Sequence, residues 1–292
     1  MIDRRTALSA LITLPVLAAS PVRASQSDPL TAAEIVRRAH IAAGGPDWRR
    51  PRTLTLTGSG IFYPQGSEAG RIEIPDYRMW RVFPRESTDA HAANGWVRID
   101  ARHADGSIYF QAAYDGEATY NQDGPVPGAQ ASREWSENFG FGIIRFALDD
   151  GFGLDRLPDD TADGRAIHVI RVKDPGGGKT LFGIAADDYA ILWLGFATTR
   201  GWHERRYSDF YRNPAVSFVQ PGRVRLYYDG VKQNEIIWSA YALNTELDRH
   251  LFQLTPRAVN RRPRRDPHHH AGKLLAELKK DRLGWGPMRR RL

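Results

Sequence analysis

Cysteine is absent from the 292 residues. That excludes disulfides, thiolate metal sites, a cysteine nucleophile and a lipid-bearing N-terminal cysteine. Beyond the first two dozen residues, no apolar run approaches the roughly 18 residues of a membrane-crossing helix. No G-x-S-x-G turn occurs, so the common serine-hydrolase reading has no anchor. GFGIIR (Gly140–Arg145) lacks the third glycine of a dinucleotide fingerprint and follows no strand–helix–strand unit. In Asp174-Pro-Gly-Gly-Gly-Lys179-Thr180 the first glycine of a phosphate loop is missing, Lys173 standing in its place. The run also joins two strand-like segments, which predicts a hairpin turn.

One near-motif fails on a single residue. GWHERRYSDFYRN (Gly201–Asn213) opens like H-E-x-x-H with His203 and Glu204, but Tyr207 occupies the fifth position. Paired zinc ligands at i and i+4 require a helix. The stretch instead alternates: Trp202, Glu204, Arg206, Ser208 and Phe210 on one side, His203, Arg205, Tyr207, Asp209 and Tyr211 on the other. A charged, aromatic strand is expected here, without a metal. The tail histidines His268, His269 and His270 are adjacent and cannot impose tetrahedral geometry. His168, His203 and His250 are candidate general bases, although lone histidines are more often structural. The acidic pairs Asp149-Asp150, Asp159-Asp160 and Asp187-Asp188 are read as turn residues.

The net charge of +7 is unevenly placed. Pro256–Leu292 carries +9 and Met1–Ala24 carries +2, leaving −4 for Ser25–Thr255. The basic character therefore belongs to the ends, and a nucleic-acid face on the central body loses its support. Met1–Ala24 reads as an export signal: Arg4 and Arg5, an apolar Ala7–Ala19, then Val22-Arg23-Ala24 as a cleavage site. The order DRRTALS resembles a twin-arginine signal, with Asp3 and Ala7 as departures. A soluble periplasmic protein is expected. Pro256–Leu292 is expected to be a basic, disordered tail outside the domain, allowing transient contact with an anionic membrane surface.

The central body, Ser25–Thr255, opens with a well-marked helix. Thr31 and Glu34 form a capping box, Leu30 and Ile35 a hydrophobic staple, and Gly44-Gly45 a left-handed stop. Ile35, Val36, Ala39, Ala42 and Ala43 make a narrow apolar face. About a dozen strand-like segments follow in two blocks, 54–122 and 166–243, with Asp105-Gly106, Asp115-Gly116 and Asp229-Gly230 as turns. Between the blocks, Ser136 could cap a helix carrying Phe139, Ile143, Phe146 and Ala147 on one face. Gly140 and Gly142 each weaken it by about 1 kcal/mol relative to alanine. Two roles are open to it, a yielding lid or plug, or a core helix packed on the sheet. The fold class is mostly β (α+β): a curved antiparallel sheet forming an incomplete barrel, with an N-terminal helix and an internal lid helix.

Large apolar residues are in surplus. Trp80, Phe110, Trp193, Phe196 and Trp202 on strands are candidates to line a hydrophobic pocket. Trp135, Phe139, Phe141, Ile143 and Phe146 would close it from the lid. The segments AHIAAGGPDW (Ala39–Trp48) and TLTLTGSGIF (Thr53–Phe62) place a helix ending in Gly-Gly and a Trp before a strand. This arrangement, with the order helix, strands, helix, strands over Pro29–Phe252, resembles LolA-like periplasmic proteins. The resemblance implies an incomplete barrel around lid helices, and a hydrophobic cavity for acyl chains in lipoprotein carriers and envelope-stress sensors. It assigns no individual residue a role. The expected function is binding or carriage of a lipid, acyl chain or lipoprotein, without cofactor or metal. Lipoproteins or envelope proteins are the expected partners, and nucleic acid is not one. Two alternatives stand beside it: a periplasmic enzyme using His203, Glu204, Arg206 and Asp209, and a regulatory module with a filled cavity.

Overall fold

The structure is a computed structural model that describes residues 30–90, 94–126 and 140–254. The segments expected to be an export signal, Met1–Ala24, and a basic tail, Pro256–Leu292, lie outside the described residues, as do Trp135 and Phe139. Helix α1 (Ala32–Ala43) starts where the sequence marks it, Thr31 Oγ1 accepting a hydrogen bond from Glu34 N at 3.2 Å. Only half of the capping box forms, because the Glu34 carboxylate bonds Arg37 and Arg38. Gly44 (φ +124°) ends the helix so close to the next layer that a Cβ there would lie 2.5 Å from Ser217 O. A short helix α2 (Pro46–Arg49) then buries Trp48.

The first block of strands is β1 (Thr53–Phe62), β2 (Ile72–Val82), β3 (Trp96–Arg102), β4 (Ile108–Tyr114), β5 (Thr119–Asn121) and β6 (Gly124–Pro125). Strand β2 runs through Pro75 without a break; the register shift opposite Gly58–Gly60 absorbs this proline, which cannot donate to a ladder. A 3-10 helix (Gly140–Phe146) and the short strands β7 (Gly153–Arg156) and β8 (Asp160–Ala162) follow. The second block is β9 (Arg165–Lys173), β10 (Lys179–Ala185), β11 (Ile191–Thr198), β12 (Gly201–Arg212), β13 (Val219–Tyr228) and β14 (Val231–Leu243). A final 3-10 helix spans Arg249–Phe252.

All strands belong to one antiparallel sheet, ordered β6, β5, β4, β3, β2, β1, β14, β13, β12, β11, β10, β9, β7, with β8 also paired to β9. Each block is thus a meander of local hairpins, as its turns require; Asp229 and Gly230, for example, both adopt positive φ, the hairpin-favouring geometry. The two blocks are joined edge to edge by the first and last strands, from Leu54 opposite Leu243 to Phe62 opposite Asn234. The sheet does not close into a barrel. Its edges, β6 and β7, are short, and β6 carries Pro125, features that discourage further strand pairing. Among the described residues, no helix is long and apolar enough to cross a membrane.

We call the sheet face carrying α1 and the Gly140–Phe146 helix the inner face. Cross-strand partners share a face, so Leu56, Met79, Ile99 and Ala112 form one inner row, opposite Tyr241 on β14. Phe182, Leu194 and Ile170 form its counterpart in the second block and are fully buried. The outer face has its own covers. Phe252 packs on Trp96 with ring centroids 5.6 Å apart, and Arg98 Nη1 donates to Leu251 O at 2.9 Å. Farther along, Ala162, Ile167, Val169, Ala185 and Leu192 make a small outer cluster against which Trp193 and Phe210 pack.

Candidate binding site

The helix expected to be a lid is, over its described part, a 3-10 turn docked into the protein. Gly140 and Gly142 disfavour an α-helix, and Ala147 N bonds Ile144 O, three residues back. Ile143, Ile144, Arg145 and Phe146 are all buried. The turn is held from α1 and α2: His40 Nε2 lies 2.8 Å from Ile144 O, Arg49 Nη2 bonds Asp149, and Arg145 Nη1 donates to Trp48 O. Burial, opposed by the hydrogen bond to Ile144 and reinforced by Arg49 and Arg145, pushes the His40 pKa down to about 4. The imidazole is therefore neutral at neutral pH and donates from Nε2.

Arg145 is 3% exposed and sits among rings, its guanidinium carbon 4.3 Å from the Trp48 centroid, 4.9 Å from Phe83 and 5.7 Å from Phe218. Arg81, on the inner face of β2, approaches the same Phe83 ring at 4.8 Å. Burial, with the neighbouring Arg205 adding to it, lowers the Arg81 pKa to about 10. These two arginines, with Arg49, Phe83, Ser87 and Asn94, border an open cleft whose enclosed part, ≈ 20 Å³, has room for about one water molecule. The loop forming its far wall is clamped by the glycine-rich turn. Asp174 accepts from Ala90 N and Gly178 N, and Gly176 N donates to Thr88 O at 2.8 Å. That turn joins β9 to β10 as a hairpin, as its sequence predicts, and it serves as a docked clasp.

Beyond the turn, the inner face of β2–β4 is less covered. Met79, Ile99, Ala112 and Tyr114 pack around buried Val97 yet stay partly exposed. Phe110 continues the row beside Phe62 and Tyr77, with centroids 5.7 and 6.1 Å away. The result is an apolar wall on the inner face, rimmed by the arginine-lined cleft at the end of β2.

The predicted lining residues divide between the two faces. Phe110, Ile143, Phe146 and Phe196 lie on the inner side. Trp80 pairs with Thr55 and Arg98 and lies on the outer face, under the Arg98 guanidinium. Trp193 and Trp202 also face outward, and a Cβ on Gly195 would strike both indoles. Strand alternation decides this: in β2, β11 and β12 the tryptophans fall on the parity opposite to the inner row. For Phe141 only the backbone is described. Sequence reasoning passed over Arg81 and Arg145; their signal was a charged residue at inward parity on a strand and a charged residue within an apolar helix.

The predicted polar cluster is not one site. His203 is buried on the inner face, stacked on Phe196 at 4.5 Å, with Nδ1 3.1 Å from Tyr228 Oη and Nε2 accepting from Arg205 Nε at 3.2 Å. Glu204 and Arg206 pair on the outer face, and Arg206 continues to Asp163, which also binds Arg225. Asp209 departs from simple alternation: its positive φ (+55°) turns its carboxylate to Arg223, which bonds outer-face Glu235. The backbone of the sheet separates His203 from the other three. The acidic pairs likewise do more than end turns, Asp149 binding Arg49 and Arg50, Asp159 binding Arg156 and His168. Among the described residues, no three His, Asp or Glu side chains gather as a metal site.

Neither a protein-family model nor a curated protein matches the chain. Solved structures similar to it include a domain described as an outer membrane lipoprotein-sorting protein from Vibrio parahaemolyticus, 13% identical, covering 76% of this chain and 95% of that one at a TM-score of 0.46. A DUF1329 family protein from Desulfovibrio piger is 10% identical, with coverages of 76% and 95% and a TM-score of 0.45. A LolA superfamily protein from Nitrosomonas europaea is 12% identical, with coverages of 77% and 98% and a TM-score of 0.46.

Proposed function

We propose that this protein binds a lipid or another acyl-bearing ligand, lipoproteins included, against the inner face of its unclosed sheet, in the periplasm after export on Met1–Ala24. The observation that carries the reading is the partly exposed apolar wall of Met79, Ile99, Phe110, Ala112 and Tyr114. Among the described residues, α1 packs against β7, β9 and β13, whereas this apolar row stays partly exposed. Each methylene removed from water on such a wall contributes about 0.8 kcal/mol, so a long alkyl chain needs no charged clamp. An enzyme built on His203, Glu204, Arg206 and Asp209 gains no support, because His203 is on the face opposite the others.

Native mass spectrometry of the full chain purified from its own cell envelope tests the reading, together with displacement of a fluorescent fatty acid. A co-purifying acyl lipid and saturable probe binding are expected. A protein that is always empty and ignores the probe ends the proposal.

A further inference from the structure

Arg145 raises a separate question. A buried guanidinium ordinarily meets a carboxylate, because an unpaired charge inside a protein is strongly destabilising. Among the described residues Arg145 meets none, and its Nε is buried without a hydrogen-bond partner. Its partners are one carbonyl, of Trp48, and the faces of Trp48, Phe83 and Phe218. Ring faces offset part of the desolvation of a cation but satisfy none of its N–H groups. A second guanidinium, of Arg81, shares the Phe83 ring, which adds like-charge repulsion. Burial first, then Arg81, hold the Arg145 pKa well below the ordinary arginine value.

Both arginines border the cleft described above, and Arg49, on a third side, is engaged by Asp149. Among the described lining residues Asp89 is the one carboxylate, and it packs against the clasp: a Cβ on Gly176 would lie 3.1 Å from its Cγ. Ser87 and Asn94 add neutral polar groups at the mouth. The enclosed space, about one water molecule in size, is far too small for an alkyl chain, and the cleft opens outward beside it, where a group of a few atoms can approach the arginines.

We propose that this cleft is the seat of a small anionic group, a carboxylate or a phosphate, whose oxygens take the buried donors of Arg145 with Arg81 beside it. Guanidinium pairs recognise such groups through parallel N–H···O bonds. The anion supplies the counter-charge that the described residues do not offer Arg145. The group could be borne by an amphiphile or be a free anion; the chemistry at Arg145 is the same. This inference rests on the arginines and not on the apolar wall.

The test uses the full chain with inorganic phosphate, acetate, dodecanoate and 1-dodecanol as probes, read by thermal unfolding and by displacement of a fluorescent lipid. An anion should raise the melting temperature, or dodecanoate should bind about tenfold more tightly than 1-dodecanol, the gain from charge-assisted hydrogen bonds. Either effect should vanish in Arg145→Met and shrink in Arg81→Met, which serves alone if the first variant does not fold. Protection by phosphate alone identifies a free anion, and a preference confined to dodecanoate identifies an amphiphile headgroup. The proposal is overturned if phosphate and acetate do nothing while both dodecyl compounds bind equally, or if an anion effect survives unchanged in the variant that folds. Equal binding of both dodecyl compounds would leave the acyl reading standing, whereas protection by phosphate without amphiphile binding would remove that reading and keep this one.

Discussion

His40 Nε2 lies 2.8 Å from the carbonyl oxygen of Ile144, so a single neutral imidazole ties the first helix to the turn that plugs the inner face. Its folded pKa of about 4 lies below the unfolded value near 6.5. Between those values the unfolded chain binds the extra proton, so stability rises with pH across that window. The contribution is complete above about pH 6.5 and is lost as pH falls toward 4, amounting to about 3 kcal/mol by linkage. Chemical denaturation at stepped pH should show this slope. His40→Gln keeps a donor for Ile144 but cannot be protonated, so its slope should be flatter; an unchanged slope would mean that another group titrates.

The seam between β1 and β14 tolerates no side chain at Gly58. A Cβ there would lie 2.0 Å from Ile237 O, a backbone atom in the ladder at the site of a register shift. Gly58→Ala should lower stability by about 1–3 kcal/mol, as overpacking does. Gly106→Ala meets nothing within 4 Å and is strained only by its positive φ of +79°, so it isolates the backbone effect from the clash.

Two aspartates bind paired partners with very different expected consequences. Asp174 is buried and accepts two backbone N–H groups, from Ala90 and Gly178, so Asp174→Ala should cost about 2 kcal/mol or more and loosen the cleft wall. Asp163 is partly exposed and bridges Arg206 and Arg225 on the outer face. Asp163→Ala should cost about 1 kcal/mol or less, shrinking further in high salt. Denaturant melts of both variants at two ionic strengths decide between these magnitudes.

The apolar wall can be altered without touching the closed core. Ile99 is partly exposed at the centre of the inner row. Ile99→Arg should weaken binding of a fluorescent fatty acid at least about tenfold, since several buried methylenes are lost, while the melting temperature changes little. Trp80→Ala, on the outer face, should leave probe binding intact. Equal effects from the two substitutions would place the ligand elsewhere.

Much of the fold is legible in local chemistry. The Thr31–Glu34 cap, the Gly44-Gly45 stop and the Asp-Gly turns act through a few neighbouring residues, and period-two alternation marks each strand wherever one face is buried. The site is less legible. Alternation in β12 correctly parts His203 from Glu204 and Arg206, yet it cannot state which parity faces α1, and so Trp80, Trp193 and Trp202 read as plausibly as Phe110 and Phe196. Asp209 shows the local limit, since one positive φ redirects its carboxylate to Arg223.

By itself, the chain's order of residues determines its strands, its turns and its first helix, because those depend on contacts between near neighbours. Only the tertiary structure decides that the outermost strands of the two blocks' sequence, β1 and β14, meet at a seam, and that Arg81 and Arg145 converge on one ring. Those partners are 60 to 190 residues apart, roughly, and their meeting is set by loop closure and packing that no local pattern encodes.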